Sequence, residues 1–480
     1  MEEEASLKCG LEIHQQLDTR KLFCSCPSIL RQNEPDYIIK RKLHPVAGEV
    51  GEIDIAAKFE AIKNLEFEYQ GYYDNTCLVE LDEEPPHQIN QEALKIAVQL
   101  ALLLNCEIIP YTQIMRKTVI DGSNVSGFQR TVLIARKGYV ETKEGKVRIE
   151  SLALEEDAAR IIKKSKEKII YRLDRLGIPL VEISTSPDIK SEKQAKEVAL
   201  YIGEILRACK VKRGLGTIRQ DVNMSIYFKG KQGARIEIKG VQEPELIEKT
   251  ILSEIERQKK LIQEGKSEAE VRKALPNGKT KFLRPLPGAA RMYPETDLPL
   301  LHISRDLINE AKRTLPKLKS EIRGELKQKG LSEEMIKLVL QENKVNELIE
   351  LLHVYNNVNL VAKMLVLWPK EIQTKLKLSD KQINERLSVD ILESVLHALG
   401  NGKINEADIK QILEKIASGI NIEKALEKEK IENIEEEILK IVKEKPGLSV
   451  NAYMGLAMSK FKGKVSGKEI MEILKRILKI

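Results

Sequence analysis

Glu12 and His14 stand two residues apart in the segment Gly10-Leu11-Glu12-Ile13-His14. In an extended strand that spacing projects both from one side and sends Leu11 and Ile13 to the other. A carboxylate beside an imidazole can hold a divalent cation or move a proton. Glu182 lies in the apolar context Pro179-Leu180-Val181-Glu182-Ile183, where a charge needs a partner or a metal. Glu155 belongs to the acidic group Leu154-Glu155-Glu156-Asp157, which follows a strand pattern. If Glu12, His14, Glu155 and Glu182 converge, they form a divalent-cation site suited to Mg²⁺ or Mn²⁺, the imidazole being the less usual ligand for Mg²⁺. The competing reading is surface ion pairing, the commoner fate of carboxylates.

A second constellation comes from a predicted hairpin. Period two places Asp221, Asn223 and Ser225 on one face of Asp221–Ile226, and Arg235, Glu237 and Lys239 on one face of Arg235–Lys239, with Lys229–Gly233 as the turn. The same alternation is what a half-solvated antiparallel sheet shows, so the pattern alone leaves both readings open. Cys24-Ser25-Cys26 could give two thiolates to zinc, but a closed site needs four ligands, no second cysteine pair follows, and His44 is the only histidine nearby. Zinc is therefore not expected. Gly463–Glu469 is one residue too short for a phosphate-binding loop and lacks its Ser/Thr, while Arg213-Gly214-Leu215-Gly216 does not extend to a dinucleotide fingerprint.

The elements that must position these residues fall into two styles. Strand patterns cover Leu7–Leu17, Lys146–Leu154, Leu180–Ser184, Thr217–Phe228 and Arg235–Ile238, interspersed with helical patterns over Gln91–Leu104, Ser191–Cys209 and Leu246–Gln263. The fold class expected is a multidomain α+β chain whose first part, residues 1–300, is one large mixed α/β domain. The proline-rich run Phe282–Pro299 rules out a regular helix and marks its end. Residues 301–400 carry helical periodicity broken at Gly330-Leu331-Ser332, where Ser332 is an N-cap candidate, and at Trp368-Pro369. After the turn signal Gly400-Asn401-Gly402, residues 401–480 form a last helical unit, broken at Pro446-Gly447. Its basic stretch includes Lys460, Lys462, Lys464 and Lys468, which is either a solvated helix face or a contact for nucleic-acid phosphates.

Length and composition bound the rest. The 480 residues allow two to four domains. With 42% hydrophobic and 32% charged residues and a mean hydropathy of -0.31, a membrane bundle and a wholly disordered chain are both excluded. The apolar run Ala97–Leu104 stops far short of the roughly 20 residues a bilayer span needs, and the acidic start Met-Glu-Glu-Glu is unlike a secretory signal, so a cytoplasmic protein is expected. Net charge is +7, but 80 basic residues face 73 acidic ones, so location matters more than the total.

Seven segments carry a resemblance to a known family: Gly10–Ser28, Ile120–Thr131, Ala153–Arg160, Arg172–Ile189, Ile218–Ile226, Glu237–Glu243 and Leu286–Pro299. In this order they resemble the GatB/GatE family, on the side of its archaeal E-type (GatE) members, and Gly447–Leu474 resembles that family's YqeY-like tail. The resemblance implies a catalytic cradle domain, an all-α helical domain and a small helical YqeY-like tRNA-binding tail. It implies a ligase that phosphorylates the γ-carboxylate of glutamate on Glu-tRNA(Gln) with ATP and then amidates it, with Mg²⁺ on His14, Glu155 and Glu182 and with Glu12 beside them. Asp221, Asn223, Arg235 and Lys239 would then line the ATP and acyl-phosphate side, and Lys460, Lys462, Lys464 and Lys468 would meet tRNA. Ammonia would come from a GatD-type, asparaginase-like glutaminase partner in a hetero-oligomer. Relatives of the B type carry a second cysteine pair where Arg41–Gly48 stands here, which again speaks against zinc. E-type chains hold an insertion resembling one in aspartyl-tRNA synthetases, and here Gln263 runs almost directly into Leu275. Two alternatives remain: a tRNA-binding scaffold with a decayed site, and a B-like chain that also serves Asp-tRNA(Asn).

Overall fold

The computed structural model describes residues 5–45, 51–53, 55–214, 216–286, 292–427, 434–461 and 467–478. The chain divides into two compact units, Met1–Leu318 and Lys319–Ile480. The first is mixed α/β and the second, among the described residues, is helical.

The first unit is organised by a twelve-stranded sheet. Ten strands form its path: β1 (Ser6–Gln16), β2 (Ile114–Thr118), β3 (Phe128–Thr142), β4 (Gly145–Glu156), β5 (Pro179–Thr185), β6 (Ile218–Phe228), β7 (Ile236–Lys239), β8 (Glu270–Ala274), β9 (Thr280–Pro285) and β10 (Met292–Pro294). Their order across the sheet is β9-β8-β7-β6-β1-β5-β4-β3-β2-β10. Pairing is antiparallel except between β7 and β8. The sequence patterns locate β1, β4, β5, β6 and β7 to within a residue or two, as well as the helices α1 (Gln91–Leu103), α2 (Glu192–Ala208) and α3 (Pro244–Glu264). Helix α3 closes on Gly265 in the left-handed conformation at φ 69°, and the chain passes within a few residues into β8.

Strand β1 shows why the sheet has two unlike faces. Leu7, Cys9, Leu11 and Ile13 are buried in the main core with Val198, Ile202 and Ile205 of α2 and Ile247 and Ile251 of α3. Ser6, Lys8, Glu12 and His14 alternate with them and stay on the uncovered face. Gly10 is required there, because a Cβ would stand 2.9 Å from the Thr185 carbonyl oxygen. A smaller sheet, Tyr37–Arg41, Glu66–Gly71, Lys168–Arg172 and Arg160–Lys164 in that order, has its own core around Phe67, Tyr69 and Tyr171. The sequence patterns missed it, since its strands are short and rich in Lys, Arg and Glu.

In the second unit, one helical core runs from Leu326 to Ala425 and another gathers Ile438, Tyr453, Phe461 and Leu474. Ser332 caps Glu333–Gln341 by accepting from the Met335 amide, as its position predicts. The break expected at Trp368-Pro369 is absent: a π-turn at Lys363–Leu367 leads straight into Trp368–Leu376. Pro369 sits in the first turn of that helix, where its missing N–H costs little. No helix among the described residues is long and apolar enough to cross a membrane.

Candidate functional site

On the uncovered face, strand register does the assembling. β1 pairs with β5 so that Glu12 stands opposite Ser184 and His14 opposite Glu182. On its other side β6 sets Asp221 beside Glu12 and Arg219 beside His14. β4 brings Glu155 opposite Leu180, one step from that row. All line one cavity of about 640 Å³ with Lys117, Gln129, Asp157, Arg235, Glu237, Lys239 and Arg284.

The four residues expected to converge do so. His14 Nε2 is 3.3 Å from Glu182 Oε2 and 3.5 Å from Glu12 Oε1. One donor atom each from His14, Glu155 and Glu182 falls within 4.8 Å of the others, and so does one each from Glu12, His14 and Asp221. Lys117 reaches this group from β2: its ammonium bonds Glu155 and stands 3.5 Å from Glu182. Gln129 donates to Glu155 Oε2 at 3.1 Å and to the Glu156 carbonyl at 2.7 Å, which fixes the orientation of Glu155.

Electrostatics separate the carboxylates. Burial, with the Glu182 charge added, pushes Glu12 up to about 7, while His14 and Lys239 pull the other way. Burial also penalises an ionised Glu182, but Lys117 and the His14 hydrogen bond outweigh it and hold its pKa well below the usual range. For His14, burial favours the neutral ring, yet the hydrogen bond and charge of Glu182 and the charges of Glu12 and Glu155 prevail and raise its pKa. Lys239, raised by Asp221 and Glu237 against its burial, stays charged.

The hairpin residues border the same cavity. Lys239 Nζ lies 2.7 Å from Asp221 Oδ2, and the Gly240 amide donates to Asp221 Oδ1 at 3.0 Å. Arg235 donates to Asn223 Oδ1 at 3.0 Å, leaving guanidinium donors without a carboxylate. Three lining residues were missed by the sequence reading. Lys117 lies on a strand of five residues, too short to show alternation. Arg219 is tied at 2.8 Å to the buried Asp157, and Arg284 follows the proline-rich segment's start. Neighbouring Glu156 takes no part, for it faces Arg130 on the other side of the sheet.

The expectation against zinc is overturned by a second cluster. Cys24, Cys26, Cys77 and Glu80 bring one donor atom each within 4.8 Å of one another. Three thiols and a carboxylate supply the four ligands of a closed site, and their softness suits zinc. The Cys24 thiol donates to Glu80 Oε1 at 2.9 Å, the Cys77 amide to Glu80 Oε2 at 2.8 Å, and the fully buried Lys21 stands 3.0 Å from Glu80. Hydrogen bonds from Cys24 and Cys77 draw the Cys26 thiol down to about 4. The search for a second cysteine pair failed because the missing ligands are one cysteine and one glutamate, 51 positions on from Cys26 and unlike a pair in sequence. Lys462 and Lys464 of the basic tail lie outside the described residues, as does the side chain of Lys468, whereas Lys460 is bonded at 2.6 Å to Glu437.

With this geometry in place, comparison with known proteins is direct. The model of the GatB/GatE catalytic domain matches residues 7–309, and the chain belongs to the GatB/GatE family. It is 39% identical over 632 aligned positions, covering 99% of both chains, to the E-type chain of glutamyl-tRNA(Gln) amidotransferase from Methanocaldococcus jannaschii. Proteins of the same name from Methanothermobacter thermautotrophicus and Thermococcus sibiricus are 36% and 35% identical, covering 91% and 98% of this chain and 92% and 97% of theirs. The resemblance to E-type members thus holds across the chain. The first alignment is longer than the 480 residues here, so that relative carries residues without a counterpart in this chain.

Proposed function

We propose that this chain is the ATP-using component of a tRNA-dependent amidotransferase that turns Glu-tRNA(Gln) into Gln-tRNA(Gln). One observation carries the reading: in a GatB/GatE chain, a carboxylate–imidazole group fit for a divalent cation shares one cavity with cations fit for phosphate. A free carboxylate is a poor electrophile, and phosphorylation of its oxygen provides the leaving group that ammonia can displace. The donor set of His14, Glu155 and Glu182 suits Mg²⁺, with Glu12 adjoining, although the imidazole is an uncommon ligand for it. Such an ion, when bound, neutralises the charge of the phosphates and of the transferring group.

The chain's own residues have separable tasks. Glu182, ionised by Lys117 and His14, and Glu155, oriented by Gln129, hold the cation side. Arg235 offers its spare donors to phosphate oxygens, and Lys239, charged between Asp221 and Glu237, sets the positive side of the cavity. Residues 1–300 act as the catalytic cradle, 301–400 as the helical domain and 401–480 as a YqeY-like tail that meets tRNA through Lys460, Lys462, Lys464 and Lys468. The relatives' name also supports a partner that supplies ammonia, a GatD-type glutaminase, in a cytoplasmic hetero-oligomer. The experiment is direct: the full chain, mischarged Glu-tRNA(Gln), ATP, Mg²⁺ and ammonium, with no partner. Formation of Gln-tRNA(Gln) is expected, and its absence while RNA is bound would leave only a binding scaffold.

A further inference from the structure

Along the uncovered face of the sheet, beyond the catalytic cavity, lies a second cavity of about 800 Å³ at the start of β1 and β4. Lys8, Lys146, Arg148 and Lys190 line it, and Asp188 is the only carboxylate among its lining residues. Asp188 is spent on Arg148, which it binds through both oxygens at 2.8 Å. Lys146 packs over the Tyr139 ring, with Glu141 3.8 Å away, and Glu150 near Arg148 also lies outside the lining. Lys8 forms no ion pair among the described residues. The cavity therefore holds a positive excess that the protein does not itself neutralise.

Its place relative to the chemistry gives that excess a meaning. Lys8 and Glu12 share a face of β1 four residues apart, about 13 Å at the strand's rise. Between them the floor is paved with small residues: Gly10 on β1, Ser184 opposite Glu12, and Ser151 opposite Ser184. Nothing bulky separates the two cavities along this line. We propose that the basic cavity is a phosphate-binding track for the RNA substrate, gripping backbone phosphates a few nucleotides from the 3′ end whose aminoacyl group enters the catalytic cavity. This rests on the amidotransferase reading above. Lysine and arginine in an open groove suit a polyanionic backbone and carry no base recognition, so the track positions the substrate and does not select it.

The test is a Lys8→Glu/Lys190→Glu variant of the full chain, assayed with Glu-tRNA(Gln), ATP, Mg²⁺ and ammonium at several salt concentrations. Both positions are exposed or half-buried at the surface, and the Lys8→Arg/Lys190→Arg variant serves as the charge-retaining control. KM for the RNA should rise about tenfold, and the slope of log affinity against log salt should fall by about 1 to 2, with KM for ATP unchanged and the arginine variant near wild type. An unmoved RNA KM and salt slope would overturn the track. So would a rise confined to the KM for ATP, which would make the cavity a small-anion site. If the wild-type chain forms no Gln-tRNA(Gln), the amidotransferase reading fails and the track fails with it, whereas an active wild type and an unaffected variant sink the track alone.

Discussion

The first unit builds two metal-capable clusters by opposite means. Glu12, His14, Glu155 and Glu182 hang from the middle of regular strands, so register alone sets their spacing. Cys24, Cys26, Cys77 and Glu80 lie outside the helices and strands, tied by hydrogen bonds around one carboxylate. The first offers hard oxygen donors in an open cavity and the second soft sulfur donors in a small enclosed group. The difference separates chemistry, which needs an open coordination position, from structure, which needs a closed one. Each cluster can be broken without the other, and the consequences should not resemble each other.

The largest effect is expected at the strand-borne cluster. Glu155→Gln removes an anionic donor while keeping the shape of the side chain, and ATP-dependent formation of Gln-tRNA(Gln) should fall by about 10³-fold or more. Circular dichroism and zinc content should stay those of the wild type. Near-normal turnover would mean that the reacting groups lie elsewhere in the cavity. In the cysteine cluster, Cys77→Ala leaves three of four ligands and should release the metal, measured as zinc per chain by mass spectrometry. The expected companion is a loss of about 2–4 kcal/mol of stability with residual kcat largely preserved in the folded fraction. Stoichiometric zinc in the variant, or none in the wild type, would refute a closed zinc site.

Legibility follows the same division. Alternation over Gly10–His14 put Glu12 and His14 on one face, and an odd carboxylate in Pro179–Ile183 marked Glu182, because strand periodicity writes itself into consecutive residues. That same periodicity gave both sides of the hairpin, Asp221 with Asn223 and Arg235 with Lys239. Lys117 escaped, since it reaches Glu155 through a pairing of strands far apart in the chain. The Cys77 and Glu80 ligands escaped for a sharper reason: no local pattern links them to Cys24, and closure is decided by how the loops fold back. The π-turn before Trp368-Pro369 was likewise unreadable, because proline in a first helical turn looks in sequence like a break.

An intermediate effect tests the second unit. Deleting Gly447–Ile480 removes the C-terminal helices Val450–Lys460 and Gly467–Leu478. tRNA affinity should weaken about tenfold or more and lose salt dependence, while cleavage of Mg-ATP by the remaining chain persists. Unchanged tRNA affinity would show the basic stretch to be a solvated face, as the bond between Lys460 and Glu437 alone would allow.

The smallest effect concerns protons at the strand-borne cluster. Glu12 titrates at about 7 before any cation arrives, because burial and Glu182 favour its neutral form. A divalent cation placed among His14, Glu155 and Glu182 stands next to that carboxyl and favours its ionised form, so binding expels a proton. The sign follows. Below about 7 the cation must displace the proton and binds more weakly; above it the carboxylate is already ionised and the penalty is gone. Mg²⁺ affinity should therefore climb severalfold between about pH 6 and pH 8 and level off beyond, with proton release on binding measurable by calorimetry in buffers of different ionisation enthalpy. Glu12→Gln, which cannot ionise, should flatten that part of the rise while leaving the contribution of His14. A wild-type profile retained in Glu12→Gln would move the titrating group to His14, and would mean that Glu12 keeps its charge when the site is empty.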